Sequence, residues 1–192
     1  MQLIEEASPK LLFLQEIWTP YSSELSMNQQ LQNYCIQIST PDQFIPAEDT
    51  LRNMDHIWHG AAIMWHDSIS TDVTHIRNTH ERITSIKLCL GGQNVLAISV
   101  YLPTSGLDDE FLDCLAALSD IIADNTEEKD TVIVGADSNC SVKSTPRRQR
   151  GFQQLCVIHN LKKVLSPGPT FHHHNGLSSS NIDLFLISEM SL

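Results

Sequence analysis

No apolar run in this chain of 192 residues approaches the roughly 18 residues that a membrane-spanning helix needs. The opening MQLIEEASPK has neither the basic start nor the long apolar core of a secretory signal, and it is too acidic for an ordinary transit peptide. An intracellular chain, nuclear or cytoplasmic and not secreted, is the expectation. The five cysteines, Cys35, Cys89, Cys114, Cys140 and Cys156, contain no CxxC spacing, which argues against a zinc cage and a disulfide framework alike and leaves reduced thiols. Basic residues are scarce, 12 Lys and Arg against 23 Asp and Glu, for a net charge of -11. A nucleic-acid backbone would be repelled by such a chain unless basic residues gather on one face or bound cations neutralise a carboxylate cluster. There is no internal repeat and no low-complexity tract.

A hydrophobic content of 41% and a length of 192 residues suit one domain, residues 1–192, able to bury a sizeable core without staples. LIEEASPKLLFLQEIW reads as a short helix cut by Pro9, then a strand Leu11 to Leu14 ending at Gln15 and Glu16. Residues 19 to about 56 hold one candidate strand, YCIQIST, and otherwise loop. HGAAIMWHDSI, RITSIKLCL and VLAISVYLP read as a meander, with GGQN as the hairpin turn between the last two. LDDEFLDCLAALSDIIADN places Phe111, Leu112, Leu115, Leu118, Ile121 and Ile122 on one helical stripe behind acids that suit a helix N-terminus. A strand TVIVGADSN follows, then a basic loop, a helix over GFQQLCVIHNLKKVL, a turn at SPGPTF, a polar loop HHHNGLSSS and a last strand NIDLFLIS. Strands outnumber helices, and helices fall between groups of strands. The pattern is α+β, two sheets packed face to face with helices outside.

Polar side chains recur where these strands end: Glu16, Tyr101, Asp137, Asn139 and Asp183. Singly, each has a plain structural explanation as a turn former, a surface acid or an interface aromatic. Together they suit hard-cation and phosphate chemistry, since magnesium takes one or two carboxylates plus water and substrate oxygens. Glu16 is the expected metal ligand. Asp137 suits a base or orienter for an attacking water, and Asn139 and Tyr101 carry the donors that a phosphorane-like transition state needs. Lys143, Arg147, Arg148 and Arg150 gather four of the 12 basic residues in KSTPRRQR, the expected phosphate contacts.

LLFLQEIW, NVLAISVYLP, VIVGADSN and RGFQQLCVIHNLKKVLSPGPTFHHHNGLSSSNIDLFLIS resemble, in order, the motif blocks of the endonuclease/exonuclease/phosphatase superfamily. The closest likeness is to the apurinic-like endonuclease domains of non-LTR retrotransposons. The resemblance implies a DNase I-like four-layer α/β/β/α sandwich of two mixed sheets with a magnesium or manganese phosphodiesterase site at one rim, and DNA as substrate. It matches Glu16 to the metal-binding Glu, Tyr101 to a phosphate-contacting Tyr, and Asp137 with Asn139 to the pair that activates water and contacts the transition state. Asp183 matches the carboxylate that orients a catalytic His.

Two family blocks have no counterpart: the first strand with its Asn, and the closing Ser/Gly-Asp-His block that supplies the catalytic His. The domain is therefore expected to be incomplete at both ends, lacking the first and last family strands, and to be weak or inactive as an enzyme unless completed. Its exposed sheet edges would favour self-association. None of the nine histidines is an obvious substitute, and His172, His173 and His174, being consecutive, cannot all face one way on a strand. Two other functions compete with a magnesium-dependent endonuclease: a phosphatase of lipid, inositol or nucleotide substrates in the same superfamily, and a non-catalytic binding module.

Overall fold

The computed structural model describes residues 8–17, 33–39, 60–77, 80–172 and 178–188. The expected first helix, before Pro9, lies outside them. Strands β1 (Leu11–Ile17), β2 (Tyr34–Ile38) and β3 (Gly60–His66) form a three-stranded antiparallel sheet in the order β1-β3-β2. A 3-10 turn (Asp67–Asp72) leads to β4 (Val73–His75), followed by β5 (Ile83–Leu90) and β6 (Gln93–Tyr101). Helix α1 (Asp108–Asn125) crosses over to β7 (Thr131–Asp137), and helix α2 (Pro146–Ile158) leads to β8 (Leu161–Leu165). A two-stranded ribbon of β9 (Phe171–His172) and β10 (Ser179–Ser180) precedes β11 (Asp183–Ser188). The larger sheet runs β4-β5-β6-β7-β11-β8, antiparallel except for β6 beside β7.

Strand alternation sorts the side chains into layers. Leu96, Ile98 and Val100 of β6, Val132 and Val134 of β7, and Leu184 and Leu186 of β11 share one cluster with Phe111, Leu115 and Leu118 of α1 and Phe152 of α2. The helices thus cover one face of the six-stranded sheet. From its other face Ile86, Leu88, Val95 and Ala97 meet Ile63 and Trp65 of β3, with Phe13 of β1 packed against them. The architecture is α+β as expected, with two sheets face to face. Among the described residues no α-helix packs on the outer face of the smaller sheet, so three layers of the expected four are described.

Three readings of the sequence need correction. Gly60–His66 belongs to the smaller sheet between β1 and β2, not to a meander with β5 and β6, and only the β5–β6 hairpin survives. Its turn is Gly91-Gly92 alone, both at positive φ (59° and 83°), the conformation that a two-residue loop between right-twisted strands requires. The basic stretch is helix from Pro146 onward, with Pro146 in the first turn and the Thr145 side chain accepting from the Arg148 amide. That helix stops before LKKVL, which is β8: Asn160 adopts φ 50° and turns the chain into the strand. At the outer edge of the sheet, β8 exposes Lys162 and Lys163, charges of the kind that discourage edge-to-edge pairing.

The two sheets approach most closely where Phe13 lies over Gly135. A Cβ built on Gly135 would sit 2.5 Å from both Cβ and Cγ of Phe13, a distance that no packed side chain tolerates. The Phe13 ring then meets Phe185 edge-on, with centroids 5.5 Å apart. Gly135→Ala is expected to destabilise the chain by about 1–3 kcal/mol through overpacking. Urea unfolding measures it, and a loss below about 0.5 kcal/mol, the scale of a neutral surface change, would contradict the close approach.

Candidate active site

Parallel pairing of β6 with β7 sets Tyr101 beside Asp137, and antiparallel pairing of β11 with β7 sets Asp183 opposite the same residue. Three adjacent strands therefore present Tyr101, Asp137 and Asp183 in one row, with side chains on the face toward the smaller sheet. Glu16 arrives from that smaller sheet. It sits at a bulge in β1, at φ 54°, where the register with β3 shifts between Gln15 and Ile17. Its carboxylate accepts a 2.9 Å hydrogen bond from the Tyr101 hydroxyl. The strand expected to end at Leu14 thus continues to Ile17, with Glu16 turned out of its alternation.

Beneath Glu16 lies a polar bridge that pattern reading passed over. Gln15 Nε2 donates to Ser99 Oγ (2.9 Å) and to the Gly135 carbonyl (3.1 Å), while Ser99 Oγ donates to the Leu14 carbonyl (2.9 Å). Ser99 is fully buried in an otherwise apolar strand, and that misfit was the signal available in the sequence. The bridge locks β1 to β6 and β7 one residue below the site. Thr170 acts similarly for β11, its Oγ1 accepting from the amides of Ile182 (3.2 Å) and Asp183 (3.1 Å).

Asn139 stands two residues beyond the strand at φ 43°, a conformation that asparagine tolerates better than most residues. Its amide donates to Asp137 Oδ1 (3.1 Å), and its side-chain Nδ2 donates to the Leu102 carbonyl (2.8 Å). One side-chain amide therefore ties the end of β7 to the end of β6. Nδ2 carries a second hydrogen, available as a donor.

The electrostatics of the rim are lopsided. Among the described residues no Lys, Arg or His forms an ion pair with Glu16, Asp137 or Asp183. Burial raises the Asp137 carboxyl from 3.8 to about 7; the charges of Asp183 and Glu16 add to it, and the Asn139 amide opposes it. Burial likewise pushes the Tyr101 phenol up to about 12, helped by its hydrogen bond to Glu16 and by the charges of Glu16 and Asp137 and opposed by Arg82. Among the described residues no three His, Cys, Asp or Glu side chains converge closely enough to hold a metal by themselves. Oxygen donors with uncompensated negative charge nevertheless fit magnesium, which needs only one or two carboxylates.

The expected phosphate contacts divide. Lys143, Arg147 and Arg150 are exposed, with Arg147 paired to Asp109 at 2.6 Å. Arg148 must be withdrawn from that group: it is 1% exposed. Its position on α2 points it into the core, where the guanidinium lies 3.9 Å above the Phe111 ring and donates to main-chain carbonyls. No DNA phosphate reaches it there. Among the described histidines none is bonded to Asp183, and His173 and His174 lie outside the described residues. No described helix is long and apolar enough to cross a membrane.

No protein-family model matches the sequence, and no curated protein matches it. Solved structures do match the fold. The endonuclease domain of TRAS1, a telomere-specific non-LTR retrotransposon, superposes with a TM-score of 0.61 at 16% identity, covering 98% of this chain and 77% of that one. An endonuclease/exonuclease/phosphatase family protein from Leptotrichia buccalis C-1013-b gives 0.65 at 12% identity, covering 98% and 79%. TDP2 from D. rerio, complexed with single-strand DNA product, gives 0.60 at 14% identity, covering 99% and 75%. The fold is that of the endonuclease/exonuclease/phosphatase structures, as the motif resemblance implied.

Because folding raises the Asp137 pKa, the folded state holds a proton that the unfolded chain has lost between about pH 4 and about pH 7. The contribution of Asp137 to stability therefore declines as pH rises through that window and levels off above it. In metal-free buffer Asp137→Asn is expected to raise the melting temperature relative to wild type at pH 8 and to leave it nearly unchanged at pH 4. Equal shifts at both pH values would show that Asp137 is not held protonated.

Proposed function

We propose that this chain hydrolyses phosphodiester bonds in DNA, as a magnesium- or manganese-dependent endonuclease of the non-LTR retrotransposon type. The observation that carries this reading is the row Tyr101, Asp137, Asp183 on three adjacent strands, met across the inter-sheet gap by Glu16. Fold alone would not support it, because one fold hosts many chemistries. The site adds what hydrolysis of a phosphodiester requires: an acceptor for the proton of water, donors for developing negative charge, and oxygen ligands for a hard cation.

Glu16, with Asp137 and Asp183 adding negative charge, would hold the cation, which when bound supplies Lewis-acid polarisation of the phosphate. Asp137 is the proton acceptor. In the metal-free chain burial raises the proton affinity of this carboxyl above that of an ordinary aspartate, which suits a base. Asn139 spends one side-chain hydrogen on the Leu102 carbonyl and offers the other to a non-bridging phosphate oxygen. The Tyr101 hydroxyl has a single hydrogen, given to Glu16 in the metal-free chain; it would become the second donor to phosphate once the Glu16 carboxylate turned to a bound cation. With no described histidine bonded to Asp183, its part is electrostatic: it adds negative charge beside Asp137 and so raises its proton affinity.

Lys143, Arg147 and Arg150 border the loop that carries Asn139, and a basic strip there suits phosphates flanking the scissile bond. DNA as the partner also draws support from the neighbours, one of which is a retrotransposon endonuclease and another a protein complexed with a DNA product.

The test is magnesium-dependent nicking of supercoiled plasmid by the purified chain. Asp137→Ala is expected to lower the rate by about 10²- to 10⁴-fold, the usual worth of positioned acid–base catalysis. Equal nicking by wild type and variant would remove the activity and leave a binding module. A second outcome concerns the basic strip. Reversing charge at Lys143, Arg147 and Arg150 together is expected to weaken DNA binding and to make the log–log slope of affinity against salt shallower by about two to three, roughly one for each phosphate no longer neutralised. An unchanged slope would place the DNA elsewhere.

A further inference from the structure

Arg148 is costly where it stands. Removing a guanidinium from water costs several kcal/mol unless partners replace the hydration, and apolar residues of similar volume are often as stable in such places. Here replacement is incomplete. Nε has no hydrogen-bond partner, and the one carboxylate in reach, Asp108 Oδ1, is 3.4 Å from Nη1. A helix-facing core of Phe111, Leu115 and Phe152 would accept a methionine or leucine at this position without needing any charge.

What the guanidinium does make is a set of bonds to two loops. Nη1 donates to the Thr104 carbonyl at 3.0 Å, and Nη2 donates to the Pro103 carbonyl and, at 3.1 Å, to the Asn139 carbonyl. Pro103 and Thr104 follow Tyr101 at the end of β6, whereas Asn139 follows Asp137 at the end of β7. The planar fork thus spans the two strand ends that carry the donors and the base of the site. Stacking on Phe111 fixes the plane of the fork, and the Asp108 carboxylate holds one side of it while also accepting from the Thr145 hydroxyl (2.8 Å).

The left-handed backbone of Asn139 gives these bonds their consequence. At φ 43° the residue sends its N–H to the Asp137 carboxylate and its C=O to Arg148, in one short unit. Removing the donor would strand a carbonyl, and the loop would relax toward an ordinary conformation, carrying the Asn139 side chain off the Leu102 carbonyl.

We infer that Arg148 is a positioning residue: its buried guanidinium clamps the β6–α1 and β7–α2 loops together and so sets where Asn139 stands relative to Asp137 and Tyr101. The clamp is read from the structure alone; its effect on rate rests on the phosphodiesterase reading above.

The experiment compares wild type with Arg148→Lys and Asp108→Asn. Arg148→Lys keeps the charge but loses the fork, and Asp108→Asn loosens the fork from a partly exposed position if the lysine variant fails to fold. In metal-free and DNA-free protein, the backbone and side-chain amide resonances of Asn139 are expected to shift or double in each variant, while those of Leu96 and Ile98 stay in place. Asn139 resonances coincident with wild type in a folded variant would overturn the inference, whatever the activity. Where wild type nicks plasmid, Arg148→Lys is expected to lower kcat about 100-fold with KM within about twofold, the scale of a displacement of about 1 Å at a reacting centre. Added guanidinium ion should restore part of that rate to Arg148→Ala, a rescue that general loss of stability would not give. An unchanged kcat would also overturn the inference. If wild type does not nick and equals Asp137→Ala, the phosphodiesterase reading falls, and the resonances of Asn139 still decide the clamp.

Discussion

Parallel pairing of β6 with β7 is the constraint on which the rest of the rim depends. Two parallel neighbours cannot be joined by a tight turn, so α1 must carry the chain back across the sheet, and both strands then finish at the same edge. Tyr101 and Asp137 stand level for that reason alone. Once β11 runs antiparallel to β7, its first residue, Asp183, falls level with them. A slip of one residue in either ladder would turn one of these side chains into the helix-covered core, where Val134 and Leu186 now lie.

The second sheet is held in place by contacts that leave little freedom. Phe13 over Gly135 fixes how near β1 comes, and the Gln15–Ser99–Leu14 bridge fixes its position along the strand axis. Glu16 is the next residue, and the bulge turns it toward the Tyr101 hydroxyl. The acid of the smaller sheet is therefore positioned by packing beneath it, with its carboxylate left on the open side.

Charge is distributed in a way that packing alone would not favour. Three carboxylates gather at the rim without a basic partner among the described residues, while a guanidinium is buried some residues away against Phe111 and three carbonyls. Both arrangements cost stability, the first through burial of Asp137 beside two like charges, the second through desolvation. Proteins retain such costs chiefly at functional sites. Structural similarity at 12% to 16% identity accounts for the architecture but not for these costs.

The sequence by itself determined the class of fold, the α1 stripe, the hairpin at Gly91-Gly92 and the polar strand ends, because each is written in local periodicity or in turn chemistry within a few residues. Its motif order also pointed to the fold that the solved structures share. It misjudged GAAIMWH and LKKVL. GAAIMWH is a short apolar run whose partner strand depends on what it packs against, and LKKVL is a short mixed run of five residues, too few for periodicity to separate a strand from the last turn of a helix. Arg148 shows the same limit in one residue. Among RRQR it looks like its neighbours, yet one position in a helical turn decides whether a guanidinium faces solvent, as for Arg147, or the core. Only the tertiary structure could settle that, because which face of α2 is inside depends on where α1 and the sheet lie, far away along the chain.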